Sequence, residues 1–343
     1  MKYLLIKLSP RSSLHLGQRE QWLEGSRTYI PSDTIFSALC HCHLLLYGEV
    51  ESLLTEFKDG DPPFLLSSAF PRRGDDLYFP LPKNQLAADK DLKKLKFVNQ
   101  TLLFRLLSGE KLQDLKDELE INHELKCLPL IKKERNVDEA EDQKKSRALS
   151  QELDLDDRCW QLEDIPRVAL NRLNNHPGEN FFHFGQVTYA QDAGLFILVE
   201  VRNEKWQQKI EALFRLMCDE GIGGDRTCGK GLFRQPVFLD FEPLHIAEPN
   251  AAYSLSAYFP RPEEIAGLDE SFYELEERKG YIFSPLNRSL RRRSIRVFTE
   301  GCVFSHKGQR IGRLENIAPD IFNAHPVYRY GFLFSFPCKL EET

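Results

Sequence analysis

The chain of 343 residues is 41% hydrophobic, 29% charged and 11% aromatic, which is enough apolar material for two ordinary cores and unlike a disordered or collagen-like composition. With 46 Lys and Arg against 52 Asp and Glu the formal net charge is -6, so the protein is not a polycation. Any nucleic-acid contact must therefore gather its basic residues on one surface. No stretch approaches the roughly 20 apolar residues of a membrane helix. The start MKYLLIKLSP lacks the h-region and cleavage site of a signal peptide. The 8 cysteines include no C-x-x-C pair. These features together predict a cytoplasmic protein with reduced thiols and no membrane partner.

In chain order, residues 3–8 (YLLIKL) read as a first strand, left by the polar stretch Ser9 to Gly17. Pro31, Ser32 and Asp33 supply a stop, an N-cap and a first-turn carboxylate. Ile35, Leu39, Cys42 and Leu46 then recur at helical spacing until Gly48. From Lys83 to Asp164 the pattern predicts an inserted, mostly helical excursion, with a solvated stretch from Lys132 to Asp157 dense in both charge signs. Strand patterns resume at Arg167: PRVALNRL, FFHFGQVTYA and GLFILVEV are separated by turn clusters at 174–178 and 191–194, the punctuation of a β-hairpin region. A helix over 204–220 places Trp206, Ile210, Leu213 and Met217 on one face and stops at Gly221. LFRQPVFLDF follows as a strand, with Pro236 marking an edge or bulge.

The order strand, helix, strand, strand, helix, strand is that of a split βαβ, ferredoxin-like unit with an insertion after its first helix. The fold class expected is α+β. The first domain spans residues 1–243, with the insertion at 83–164 and a projecting hairpin at 173–192. Residues 244–343 carry further strand signals and make a second small α+β domain.

The sharpest local feature is the loop Gly221-Ile222-Gly223-Gly224-Asp225-Arg226-Thr227-Cys228-Gly229-Lys230-Gly231, with five glycines in eleven positions. Gly224 to Lys230 fits part of a P-loop, but Gly231 stands where a magnesium-binding Ser or Thr belongs. The loop also leaves a helix for a strand rather than the reverse, so nucleotide hydrolysis is rejected. Backbone amides with Arg226 and Lys230 suit an extended phosphate backbone, and a flexible connector is the alternative. A second feature is Asn287 to Arg296, with five arginines in an acidic protein. They fit an anionic partner, or else a solvated strand edge or ion pairs with the acidic insertion. Phe181, Phe182, His183 and Phe184 can wedge between bases or form the core of their strand. His41 and His43 beside Cys40 and Cys42 do not make a metal site, because neighbours two apart on a helix point to different sides. His15 or His41 could serve as the base of a metal-independent ribonuclease, or simply pack. The sequence offers no catalytic constellation, no metal site and no cofactor.

Four segments together carry a resemblance: Ser12-Ser13-Leu14-His15-Leu16-Gly17, PSDTIFSAL from Pro31 to Leu39, FLLSSAFP from Phe64 to Pro71, and GIGGDRTCGKG. They resemble the RAMP proteins of CRISPR systems and, more narrowly, the family of the fourth subunit of the type III-A Csm effector complex, over most of the chain. The resemblance implies two RRM-like domains and a non-catalytic subunit that grips the repeat-derived 5′ handle of crRNA. The implied partners are a large polymerase-like subunit and the repeated backbone subunit, with target RNA nearby. It implies that Ser12, Ser13, His15, Ser32, Asp33 and Thr34 line the handle path. By the same resemblance Gly221, Ile222, Gly223, Gly224, Asp225, Arg226, Gly229, Lys230 and Gly231 hold its phosphates, followed by Phe233. The hairpin after Arg172 resembles a thumb; Arg167, Asn171 and Arg172 before it and Phe182 within it are further RNA-contact candidates, as are Arg288, Arg291, Arg292 and Arg293 of the basic cluster on their charge alone. A crRNA-processing endoribonuclease with a histidine base is the alternative function.

Overall fold

The computed structural model describes residues 2–19, 22–85, 89, 92–121, 129–131, 159–170, 173, 181–282, 284, 286, 289–305 and 310–340. Its main feature is a seven-stranded antiparallel sheet. β1 (Lys2–Leu8) is an interior strand, paired on both edges, and its Leu4, Leu5, Ile6 and Leu8 are all buried. α1 (Ser32–Tyr47) buries Ile35, Phe36, Leu39 and Cys42 and ends at Gly48, as its periodicity predicts. Leu46 departs from the expected face. The run Leu44 to Tyr47 is exposed, since the helix extends past the elements that cover its earlier turns. α2 (Glu51–Lys58) follows.

The second core strand is not where the sequence pattern places it. β2 (Phe64–Leu66) and β3 (Phe70–Arg73) both pair with β8 (Ala193–Val201), so the strand next to β8 precedes the insertion. Ser67 and Ser68 interrupt it, but Ser67 keeps the ladder bonded: its amide donates to the Leu198 carbonyl at 2.9 Å and its hydroxyl accepts from the Leu198 amide at 2.8 Å. β4 (Asp76–Pro80) and β5 (Phe97–Asn99) extend the sheet. With β9 (Val237–Asp240) on the far side of β1, the order is β9-β1-β8-β3-β4-β5.

The described part of the insertion departs from the mostly helical pattern expected of it. Within 83–164 the described residues hold one two-turn helix, α3 (Gln100–Leu107), short 3-10 turns and short strands. Asn99 caps α3 by accepting from the Leu102 amide at 2.9 Å. Leu92, Leu95, Val98, Leu102 and Leu106 are buried in the main core, so this part is sheet edge and cover rather than a solvated excursion. The charged stretch from Lys132 to Asp157 lies outside the described residues. The strand expected from Arg167 begins earlier. β6 (Trp160–Val168) pairs with β7 (Phe181–Tyr189) as a separate two-stranded ribbon, and the insertion boundary at Asp164 falls inside it.

α4 (Gln207–Glu220) packs Ile210, Leu213, Phe214 and Met217 inward. In the C-terminal stretch, β10 (Ala251–Ser254) lies between β13 (Val303–Ser305) and β14 (Ser335–Cys338). β11 (Leu275–Arg278) pairs with β12 (Ile295–Phe298). Tyr330 contacts Phe36 at 5.0 Å between ring centroids, and Phe336 contacts Phe79 at 6.2 Å. One apolar core therefore runs across residue 243. Among the described residues no helix is long and apolar enough to cross a membrane.

Candidate nucleic-acid interface

α4 ends where the Gly221 amide donates back to the Met217 carbonyl at 2.9 Å. The loop then closes on itself and on the segment after β1. The Ile222 amide donates to the Gly231 carbonyl at 3.0 Å, the Gly224 amide to His15 at 2.9 Å and the Gly231 amide to Ser13 at 2.9 Å. The Leu232 amide donates to Ser12 Oγ at 3.0 Å. Two glycines are required by geometry. Gly223 has φ +95, and a Cβ there would lie 2.4 Å from the His15 carbonyl oxygen. Gly231 has φ +72, and its Cβ would lie 2.0 Å from the Ile222 oxygen. Asp225 takes the left-handed conformation at φ 57 and leads into a 3-10 turn, Arg226–Cys228. Thr227, Cys228 and Gly229 form the exposed tip, with Arg226 half-exposed beside them.

The ribbon closes the other side. Leu14 and Val187 exchange backbone bonds of 2.8 Å in both directions. One face of the ribbon presents Ile165 and Arg167 on β6, directly opposite Phe184 and Phe182 on β7. His15 donates through Nδ1 to the Gly185 carbonyl at 2.6 Å, and its ring lies 4.1 Å from that of Phe184. Burial lowers the His15 pKa, against the pull of the Gly185 bond and Asp225, which favours neutral imidazole. Phe184 carries the Arg167 guanidinium at 4.2 Å and the Lys230 ammonium at 4.5 Å from its centroid. Arg167 bonds Asp225 of the loop, and Lys230 bonds Gln186. Gln186 also accepts from Ser13 Oγ at 2.8 Å and donates to Glu163 at 2.7 Å. Three segments distant in sequence are thus fastened around one aromatic ring.

The predicted residues divide accordingly. Ser12, Ser13, His15, Arg167 and the whole 221–231 loop come together, with Phe182 half-exposed on the same ribbon face. Lys230 belongs to the cluster as a buried strut, 8% exposed. Burial first, and then Arg167, push its pKa down. Phe233 is corrected to a core residue, buried behind the loop with its amide on the Cys218 carbonyl at 3.0 Å.

Ser32 and Asp33 are likewise corrected from ligand-lining to buried. Ser32 Oγ accepts from the Ala257 amide at 3.0 Å. Asp33 forms ion pairs with Arg329 and, at 3.7 Å, with Arg278. Burial alone would raise the Asp33 carboxyl, but Arg329, Arg278 and Arg292 outweigh it and hold its pKa at about 2. Thr34 is half-buried beside Asp33. Asn171, Arg172 and Arg288 lie outside the described residues. Arg292 donates to the Lys279 carbonyl at 3.0 Å and Arg293 to the Asn316 carbonyl at 2.6 Å, while Arg291 lies over Tyr281.

Sequence reasoning missed Gln186 and Glu163, which join ribbon to loop, and the Arg278 and Arg329 partners of Asp33. Gln186 sits two residues past an aromatic run that did draw attention. Nothing local marks Arg329, 296 positions from Asp33.

Comparison with known proteins shows what the chain is similar to. Residues 248–338 match the model of the CRISPR Csm4 C-terminal domain. A Methanocaldococcus jannaschii protein described as CRISPR system Cms protein Csm4 is 25% identical over 93% of this chain and 89% of its own length. A Thermococcus onnurineus protein of the same description is 24% identical over 99% and 98%. Among solved structures, a chain of a Csm3-Csm4 subcomplex in the type III-A CRISPR-Cas interference complex is similar with a TM-score of 0.68 and 19% identity, covering 99% of this chain and 100% of that one. A chain of a Csm1-Csm4 cassette in complex with cA4 is similar with a TM-score of 0.58 and 18% identity, covering 100% of both chains.

Proposed function

The chain belongs to the Csm4 family, and from that premise we propose that it is the subunit of a type III CRISPR Csm complex that holds the repeat-derived 5′ handle of crRNA. It docks there with a Csm1-like large subunit and a Csm3-like backbone subunit, the partners named for its structural neighbours. On this reading the order β9-β1-β8-β3 is that of a ferredoxin-like, RRM-like unit spanning residues 1–243. Residues 244–343 form a degenerate second unit.

The observation that carries the proposal is the fastening of the 221–231 loop to both the Ser12 to His15 segment and the β6–β7 ribbon. It fixes a glycine-rich tip, with Arg226 beside it, in one conformation. Amides and cations held this way suit phosphates of an extended strand, and Phe182 on the ribbon offers a ring beside that path. The endoribonuclease alternative draws no support from His15, which is 7% exposed and has its ring packed against Phe184.

The test is to purify the tagged protein from its native cells and sequence the 5′ ends of the RNA that accompanies it. A constant repeat-derived end followed by variable spacers is expected. Absence of enriched RNA overturns the reading.

A further inference from the structure

Arg72 is a buried cation that pairs with no carboxylate among the described residues. It is 8% exposed, and its guanidinium donates only to neutral oxygens, the Gly74 carbonyl at 3.2 Å and Ser9 Oγ at 2.6 Å. Its buried Nε makes no hydrogen bond. The two carboxylates that act on it, Asp75 and Asp192, are engaged elsewhere, with Lys7 at 2.5 Å and Arg73 at 2.9 Å. Burial outweighs them and pushes the Arg72 pKa down. A guanidinium taken out of water in this way is costly to the fold until an anion compensates it.

Gly194 lets this charge cross the sheet. It stands opposite Arg72 in the ladder, and a Cβ there would lie 2.3 Å from the Leu8 carbonyl oxygen and 3.4 Å from Arg72 Nη2. With no side chain in the way, the guanidinium passes over β8 to Ser9, one residue beyond β1. Ser9 Oγ accepts that bond, so its own proton is left to donate, and that proton has no acceptor among the described residues.

Two exposed arginines flank the hydroxyl. Beyond β1 the chain pairs with the segment that leaves the glycine loop: Pro10 faces Phe233, and the Arg11 amide donates to the Leu232 carbonyl and the Arg234 amide to the Ser9 carbonyl, each at 2.8 Å. Phe233 turns to the core, so the pleat turns Ser9, Arg11 and Arg234 to the opposite face. Arg234 lies directly across from Ser9 and diagonally from Arg11, a spacing of about 7–8 Å at such positions. Neither arginine side chain makes a hydrogen bond or ion pair among the described residues. The acids around them are accounted for. Asp225 is held by Arg167, and Asp219 and Glu220 end α4 on the helix side, where Asp219 accepts from Gln235 at 3.5 Å.

The group thus presents two guanidinia and a hydroxyl proton over a buried, uncompensated positive charge. It adjoins the loop on both segments, because Ser12 and Ser13, which follow Arg11, bond Leu232 and Gly231, which precede Arg234. A carboxylate side chain of a protein brings a single charge and matches neither the diagonal pair nor the glycine tip beside it. The repeated charges of a phosphodiester strand match both. We propose that Ser9, Arg11 and Arg234, over Arg72, form a phosphate-binding site that takes the backbone of the RNA strand where it leaves the 221–231 loop. The proposal rests on the RNA reading above and adds to it a contact outside the loop.

The experiment uses the full-length protein and a synthetic copy of the RNA that accompanies it from cells. The double variant Arg11→Ala, Arg234→Ala changes only exposed side chains, so its unfolding midpoint should equal that of wild type. Its log–log salt slope for RNA binding should fall by about 1.4, for two contacts on a single strand. Replacing one phosphodiester of the probe at a time by an uncharged methylphosphonate should weaken wild-type binding at one or two linkages, and those linkages should have no effect in the double variant. Arg72→Gln, which keeps a donor for Ser9 and removes the charge, should also weaken binding. A wild-type slope in the double variant overturns the proposal, as does an Arg72→Gln variant that folds normally and binds as tightly as wild type. If Arg226→Ala lowers the slope and the double variant does not, the loop reading stands and this site fails. If wild type binds no RNA, the functional reading fails. Inorganic phosphate that protects wild type but not the double variant against thermal unfolding then keeps the site as one for free phosphate, and equal protection or none overturns it.

Discussion

Replacing Lys230 by Met separates two roles that a lysine in a glycine-rich loop can have. The side chain is 8% exposed, its ammonium bonds Gln186, and it lies 4.5 Å from the Phe184 centroid. Losing a hydrogen bond from a charged donor costs about 1.5–3 kcal/mol, and losing the contact with the ring costs about 0.5–1 kcal/mol. Relief of crowding against Arg167 and the burial of a neutral thioether in place of an ammonium offset part of this, and Ser13 still donates to Gln186. A net loss of roughly 1–2 kcal/mol is expected. Urea unfolding of the purified protein should show an earlier midpoint with an unchanged slope. The salt dependence of handle-RNA binding should keep its wild-type steepness. Arg226→Ala, at the loop tip, should do the opposite: stability stays nearly constant, and the log–log salt slope falls by about 0.7 for one phosphate contact on a single strand. A Lys230→Met variant with an unaltered unfolding midpoint and a slope reduced by that amount would refute the assignment of Lys230 as a strut.

Three further outcomes follow from the same geometry. Gly231→Ala forces a side chain into a left-handed backbone and toward the Ile222 oxygen; it should accelerate amide exchange at Ile222 and Gly231 and lower stability by about 1–3 kcal/mol. Asp33, held at a pKa of about 2 against an ordinary 3.8, contributes stability that is fully present above pH 4 and is lost as pH falls toward 2. That contribution is roughly 2 kcal/mol, and unfolding free energies of wild type and Asp33→Asn should converge over this window. Because His15 has a lowered pKa, the unfolded chain binds its proton more readily; stability should rise as pH climbs toward and past 6.5, and this component should vanish in His15→Asn.

Much of the fold is legible in the sequence because some elements announce themselves locally. YLLIKL, the helix from Ser32 and the helix ending at Gly221 each have a periodicity that matches the face they bury. The strand at 64–73 does not. Its ladder passes through two serines, one of which substitutes its hydroxyl for a backbone carbonyl, and no alternation survives that exchange. The segment after Lys83 reads as helix because leucines recur at helical spacing, yet burial against the sheet edge decides its structure, and only the stretch after Asn99 has a cap to start a helix.

The candidate site shows the same division between local and distant causes. Gly223 and Gly231 of the loop are legible because positive φ and close approach of the His15 and Ile222 carbonyls exclude any other residue. Whether a polar residue in such a segment faces a ligand or the interior is set elsewhere. Lys230 is buried by a glutamine 44 positions away and Asp33 by an arginine 296 positions away. Those distant bonds also bear on the proposed binding role of a segment with five glycines. Left to itself it would lose its conformational freedom each time a strand bound, weakening every contact by that entropy. Bonded to Ser12, Ser13, His15 and Arg167, it is ordered when the protein folds, so on the proposed reading a strand would meet a tip already in place. On the proposed reading, the buried residues of the cluster are therefore what would make its exposed tip a cradle.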